Sequence, residues 1–251
     1  MVALAFDMDG TLTKSRQSIS SEVVYALRQI KPIYKLHIVT GSDIHKVEEQ
    51  LTVPLMLELF ENVCCCNGTA VYHTNLDTDR EDAPLQPMLI HRASLLDHYS
   101  QADMNHLTAE LLKVAANTHT KYKTGTFVEW RGSQINFSII GRNCSLEQRE
   151  DYVEWDKNSN ERERVVENLQ AQFKGWGLSF SVGGQISIDI TRQGWDKSYA
   201  LNHIDTPAKD CIFFGDRIHP GGNDLEIAKA CGKYYDVSSP EEIIPLLAQY
   251  S

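Results

Sequence analysis

The chain has 251 residues, 42% of them apolar, which suits one large domain or two modest ones with a real core. Twenty-four Lys and Arg against 34 Asp and Glu give a formal charge of −10, which argues against nucleic acid as a partner because a phosphate backbone requires a broad basic footprint. No stretch approaches the roughly 18 consecutive apolar residues that span a bilayer, and residues 1–6 run into Asp7 without a basic leader, so a cytoplasmic chain with no membrane partner is expected.

Residues 2–6 form a short apolar run, followed by a helical pattern with Val24, Leu27 and Ile30, a strand over residues 35–39, a helix from Asp43 and a strand over residues 63–66. That alternation predicts a parallel sheet. The polar stretch of residues 77–87 separates it from a different pattern: a helix over residues 103–116, then β-runs over 126–131 and 134–140 joined only by Gly132-Ser133, a tight hairpin. Its register pairs Trp130 with Ile135 and Val128 with Phe137 on an apolar face, and Arg131 with Gln134, Glu129 with Asn136 and Phe127 with Ser138 on a face expected to point outward. Ser145 and Gln148 form a capping box, Val165, Val166, Leu169 and Phe173 stripe a second helix, and residues 178–182 and 185–190 make another hairpin around Gly183-Gly184. A strict two-residue turn there sets Phe180 opposite Ser187. Residues 211–214, 224–231 and 234–237 resume the strand–helix–strand rhythm, and Ser239-Pro240 opens a closing helix with a capping hydroxyl. The expected organisation is an α/β parallel-sheet core over residues 1–83 and 186–251, with an inserted α+β cap over residues 84–185. The six cysteines, Cys64, Cys65, Cys66, Cys144, Cys211 and Cys231, lack C-x-x-C spacing and read as reduced packing residues.

The sharpest local signal is Asp7-Met8-Asp9-Gly10-Thr11 directly after the first strand, where ligands of open parallel sheets collect. A calcium loop would need Gly at its sixth place and Glu at its twelfth, where Leu12 and Ser18 stand. A carboxylate at a strand end is able to attack phosphorus, and a second carboxylate two residues on lies on the same side of an extended segment to pass a proton. Such a site needs cations to hold a phosphate dianion. Lys197, opening a helix, and Asp216 and Asp224, in a glycine-rich loop after another strand, supply a lysine and oxygen ligands of the kind Mg2+ prefers.

These segments, with Thr40-Gly41-Ser42-Asp43 after the second strand, resemble in order the four motifs of the haloacid-dehalogenase superfamily, which implies a HAD-like (Rossmannoid) core. Residues 7–16, 125–131 and 140–142 with Arg149, then 183–189, 194–197, and 214–216 with 220–224, make the chain similar to the eukaryotic-type phosphomannomutases over essentially its whole length. The resemblance implies that Asp7 is the nucleophile and Asp9 the general acid/base, that Asp7, Asp9 through its backbone carbonyl, Asp216 and Asp224 serve Mg2+, and that Ser42 and Lys197 hold the transferring phosphoryl group. It further implies that Arg16, Arg131, Arg142 and Arg149 bind the distal phosphate, with Ser187 and Asp189 on phosphate or sugar. The implied reaction interconverts mannose 6-phosphate and mannose 1-phosphate with a hexose 1,6-bisphosphate activator, supplying GDP-mannose synthesis, in a homodimer joined through the caps.

Two segments depart from that pattern. Thr40 stands where a glycine is usual, which would bring its hydroxyl toward the phosphate. The segment after Asp224 is shorter than in animal members, so it differs where a second, structural metal site of backbone carbonyls would form. The competing reading is a sugar-phosphate phosphatase of the same superfamily, which uses the same Asp7, Asp9 and Mg2+ and lets water attack. A non-catalytic sugar-phosphate binder would require the loss of a nucleophile, acid/base or metal carboxylate, and each of those positions is filled.

Overall fold

A computed structural model describes residues 2–74 and 86–251. In chain order its elements are β1 (Ala3–Phe6), α1 (Ser21–Ile30), β2 (Lys35–Val39), α2 (Ile44–Leu51), α3 (Val53–Leu59), β3 (Asn62–Cys65), β4 (Ala70–His73) and β5 (Met88–Arg92). Then come α4 (Gln101–Asn117), β6 (Val128–Trp130), β7 (Gln134–Ser138), α5 (Leu146–Ser159), α6 (Glu161–Gln172), β8 (Leu178–Gly183) and β9 (Ser187–Arg192). The chain closes with β10 (Cys211–Gly215), α7 (Leu225–Ala230), β11 (Lys233–Asp236) and α8 (Pro240–Leu247). Two units result, residues 1–92 with 194–251, and residues 93–193. The expected boundary at 83/84 lies outside the described residues, but residues 86–92, expected in the cap, belong to the larger unit, where β5 pairs with β4. The one expected at 185/186 would cut the β8–β9 hairpin, and the chain instead changes unit after β9, at Gln193.

The larger unit holds a seven-stranded sheet in the order β11-β10-β1-β2-β3-β4-β5, parallel from β11 to β3 and antiparallel beyond it. Side chains alternate across it. Leu4, Phe6, Leu36, Ile38, Val63 and Phe214 pack with Leu27 and Ile30 of α1 and Ile243 and Leu247 of α8, whereas Ala3, Ala5, Val39, Cys64 and Phe213 lie in the cluster that contains Ala200 of a 3-10 helix (Lys197–His203) and Ile227 of α7. Local chemistry sets the helix starts: Ser20 accepts from the Val23 N–H, and Asp43 from the Lys46 N–H. Ser239 departs from expectation, since its hydroxyl caps no backbone group. The Glu242 carboxylate accepts from the Ser238 N–H instead, at 2.8 Å.

The smaller unit is a four-stranded antiparallel sheet, β6-β7-β9-β8. The β6–β7 register is the expected one, Val128 opposite Phe137 and Trp130 opposite Ile135. The second hairpin differs: Phe180 faces Ile190 and Gly183 faces Ser187, around a three-residue loop in which Gly184 has φ +51°. Arg162 of α6 sets that turn. Its guanidinium donates to the Gly184 carbonyl at 2.9 Å and pairs with Asp156 at 2.7 Å.

His37 lies in the middle of β2, fully buried, and neither ring nitrogen has a partner among the described residues. Burial, with the charges of Lys35 and His73, pulls its pKa from 6.5 down to about 3. The unfolded chain therefore takes up this proton first, so the stability lost through it starts as pH falls below about 6.5 and reaches about 2 kcal/mol by about pH 5. His37→Leu should flatten this part of the acid limb in urea unfolding followed across pH. An acid limb of unchanged slope would show that His37 titrates alike in both states.

Candidate active site

The carboxyl ends of β1 and β10 are neighbours at the centre of the sheet, the place where open α/β sheets bind ligands. Asp7 follows β1, its N–H donating to the Phe214 carbonyl of β10 at 2.9 Å, and Asp216 follows β10. The loop after Asp216 folds back through Gly222 N–H to His219 carbonyl and returns Asp224 to the site. There Asp224 Oδ2 accepts from the Arg217 N–H at 3.1 Å. Gly10, at φ +90°, is required sterically as well as conformationally, because a Cβ there would collide with the Asp216 carboxylate.

Lys197 ties the site together. Only 1% exposed, its Nζ donates to Asp7 Oδ1 and to Asp224 Oδ1, both at 2.5 Å. Asp196 presents it by capping the 3-10 helix, its carboxylate accepting from the Ser198 N–H. Burial pulls the Lys197 pKa down, but Asp7 and Asp224 outweigh that and hold it above its ordinary value. Burial, helped by Asp224, pushes the Asp7 carboxyl up to about 7 against the pull of Lys197, and the same causes raise Asp216. One ammonium does not neutralise three carboxylates.

Asp7, Asp216 and Asp224 each bring an oxygen within 4.8 Å of the others, and Asp216 Oδ1 is buried with no hydrogen-bond partner among the described residues. An all-oxygen set with an orphaned carboxylate oxygen fits a hard divalent cation such as Mg2+. The Asp9 carboxylate is outside this group; its Oδ1 accepts from the Arg16 N–H at 3.0 Å. The Arg16 side chain is exposed. Ser42 follows β2, and its N–H donates to the Thr40 hydroxyl at 3.1 Å, so the Thr40 oxygen that sequence reading turned toward phosphate braces the loop as an acceptor.

In the smaller unit the structure brings Arg131, Arg142 and Asp189 into one network. Glu129, Asn136 and Asp189 stand in register on β6, β7 and β9. Glu129 Oε2 accepts from Arg131 Nη2 at 2.5 Å and lies 3.1 Å from Arg142 Nε. Asn136 bridges Arg142 Nη1 and Asp189 Oδ1, each at 2.6 Å. The face expected to point outward is thus covered at Asn136 and Ser138, both buried. Ser187 is buried opposite Gly183, and Arg149 lies on α5 outside this set of contacts. Sequence reading missed Glu129, Asn136 and Arg162 as contributors, although the hairpin register already put Glu129 and Asn136 side by side with Arg131.

Residues 23–249 match the family described as eukaryotic phosphomannomutase. The chain is 39% identical to a phosphomannomutase of Galdieria sulphuraria over 95% of its own length and 90% of the relative's. It is 37% identical to phosphomannomutase 1 of Homo sapiens (97% and 89% covered) and 34% identical to the Saccharomyces cerevisiae phosphomannomutase (97% and 92%). In fold it is similar to a Plasmodium falciparum IMP-nucleotidase (TM-score 0.66, 14% identity, 100% of this chain and 68% of that one). A haloacid dehalogenase-like hydrolase from B. subtilis is also similar (TM-score 0.60, 15% identity, 98% and 93%). The fold is HAD-like, and the chain belongs to the eukaryotic phosphomannomutase family.

Proposed function

We propose that this chain interconverts mannose 6-phosphate and mannose 1-phosphate through a phospho-aspartate on Asp7 and a hexose 1,6-bisphosphate that turns end for end between two half-reactions. The observation that carries this reading is the buried Asp7 carboxylate at the end of β1, held by Lys197 beside Asp216 and Asp224. Asp7 attacks phosphorus; a carboxylate O–P bond forms as the O–P bond to the sugar breaks. Asp9, fixed by the Arg16 N–H on one oxygen, keeps the other for the proton, giving it to the departing sugar oxygen and taking it from the attacking hydroxyl in the return step. Lys197 and Ser42 hold the transferring group. Asp7, Asp216 and Asp224, with the Asp9 carbonyl, would hold Mg2+, which supplies charge neutralisation and polarisation of the phosphoryl oxygens when bound.

A mutase needs a second home for the phosphate that is not reacting. Arg131, Arg142 and Arg149, with Arg16, fill that role in this reading, their planar forks matching phosphate geometry, while Ser187 and Asp189 serve phosphate or sugar. Exclusion of water by cap closure would protect the acyl phosphate from hydrolysis. A hexose 1,6-bisphosphate primes Asp7, the caps pair two copies of the chain, and the product feeds GDP-mannose synthesis in the cytoplasm.

A coupled assay for mannose 6-phosphate formed from mannose 1-phosphate, with and without glucose 1,6-bisphosphate and with free phosphate followed in the same tube, tests the reading. Isomerisation that depends on the bisphosphate, is lost on chelating Mg2+ and is abolished in Asp7→Asn is the expected result; phosphate release without isomerisation would make this a phosphatase. Arg142→Gln should cost isomerisation about tenfold more than hydrolysis of an aryl phosphate, which has no distal phosphate to bind. Equal losses would remove Arg142 from the distal site.

Lys197→Met leaves Asp7 and Asp224 buried without their cation and should cost about 3–5 kcal/mol in urea unfolding under chelating conditions. A loss below about 1 kcal/mol would mean that Lys197 is not what holds these loops together.

A further inference from the structure

We propose that Asn136 is a positioning residue that fixes Arg142 and Asp189 relative to one another, so that the distal phosphate and the sugar are read by one rigid unit; this rests on the roles given to Arg142 and Asp189 above. Asn136 sits in the middle strand pair of the small sheet and is 3% exposed. Its carbonyl accepts from Arg142 Nη1 and its amide N–H donates to Asp189 Oδ1, each at 2.6 Å. A cation on one side and an anion on the other is a demand that a primary amide meets with one side chain. A carboxylate would repel Asp189, and an alkyl group would take this bond from both, leaving Arg142 with Glu129 alone.

The rest of the row makes the arrangement stiff. Glu129 Oε2 engages Arg142 Nε and takes both Nε and Nη2 of Arg131, so two guanidinium planes are set by one carboxylate. With Nη1 on Asn136 and Nε on Glu129, Arg142 Nη2 has no partner among the described residues and is the nitrogen left for an anion. Gly183, on β8, leaves the space that the Asp189 carboxylate occupies, since a Cβ there would collide with it. The charged groups joined in this row are Arg131, Arg142, Glu129 and Asp189.

The test is steady-state kinetics of Asn136→Ala and Asn136→Asp across pH, with thermal melting to check folding. Asn136→Ala should raise KM for mannose 1-phosphate about tenfold with a much smaller change in kcat, as expected when a hydrogen bond to a charged group is lost from substrate positioning. Asn136→Asp puts two carboxyls side by side. KM should be highest near about pH 8 and fall back as the pair shares a proton toward about pH 5.5, a limb that neither the parent nor the alanine variant shows. An unchanged KM in Asn136→Ala, a loss carried by kcat alone, or an aspartate variant whose KM follows the parent at every pH would overturn the proposal. So would failure of both variants to fold, which would make Asn136 a packing residue. KM is read on whichever product forms, so a parent enzyme that releases only phosphate refutes the mutase reading and leaves this test standing.

Discussion

The large unit depends on one buried ammonium. Lys197 bonds carboxylates that arrive from two distant parts of the chain, Asp7 at the end of β1 and Asp224 on the far side of the loop after β10. Taking such charges out of water is costly, and only direct contact with opposite charge repays it. At an effective dielectric of about 20, two unit charges about 4 Å apart interact by about 4 kcal/mol, so a third carboxylate in the same pocket is not a small perturbation. Burial first, and then the neighbouring Asp224 carboxylate, raise the pKa values of Asp7 and Asp216 against the pull of Lys197. The protein answers only part of the negative charge gathered here, and the donor set describes what answers the rest: a small, hard, divalent cation.

Backbone geometry makes that concentration of charge possible. Strands β1 and β10 lie in register, Phe6 beside Phe214, so the residues that follow them leave the sheet at the same level. Gly10 and Gly215 then remove the side chains that would separate the acids: a Cβ on Gly10 would strike Asp216, and one on Gly215 would press on Asp224 at 2.8 Å. These glycines are steric conditions of the site. A methyl group at either would have to displace a carboxylate that Lys197 or a metal needs.

How much of this was legible in the sequence depended on how local the determining interactions are. The β6–β7 hairpin was readable because a two-residue connection at Gly132-Ser133 leaves one register that keeps Ile135 and Phe137 inside. The β8–β9 hairpin was not, because its three-residue loop is held by Arg162, a residue from a helix that sequence spacing does not connect to it. For the same reason the boundary after β9 escaped the reading: strand β9 is committed to the small sheet by its pairing with β7 and β8. The acids of the core site were visible because strand ends and glycine turns announce them. Asn136 was visible only as a polar residue on a polar face, since its burial comes from neighbours that a single strand does not reveal.

The two units handle buried charge in different ways. In the large unit carboxylates outnumber the one lysine that meets them, so a phosphoryl group is tolerated there only with further positive charge. In the small unit the network is balanced: Arg131 and Arg142 meet Glu129 and Asp189 charge for charge, with Asn136 between Arg142 and Asp189. Arg131 and Arg142 each already spend part of their donor set on an internal carboxylate or amide. A cluster of free guanidinium groups would bind a dianion more tightly and would also repel itself when empty. The internal anions Glu129 and Asp189 keep this row of side chains ordered. In a chain whose formal charge is −10, attraction for phosphate would have to come from small neighbourhoods of this kind and not from the surface as a whole.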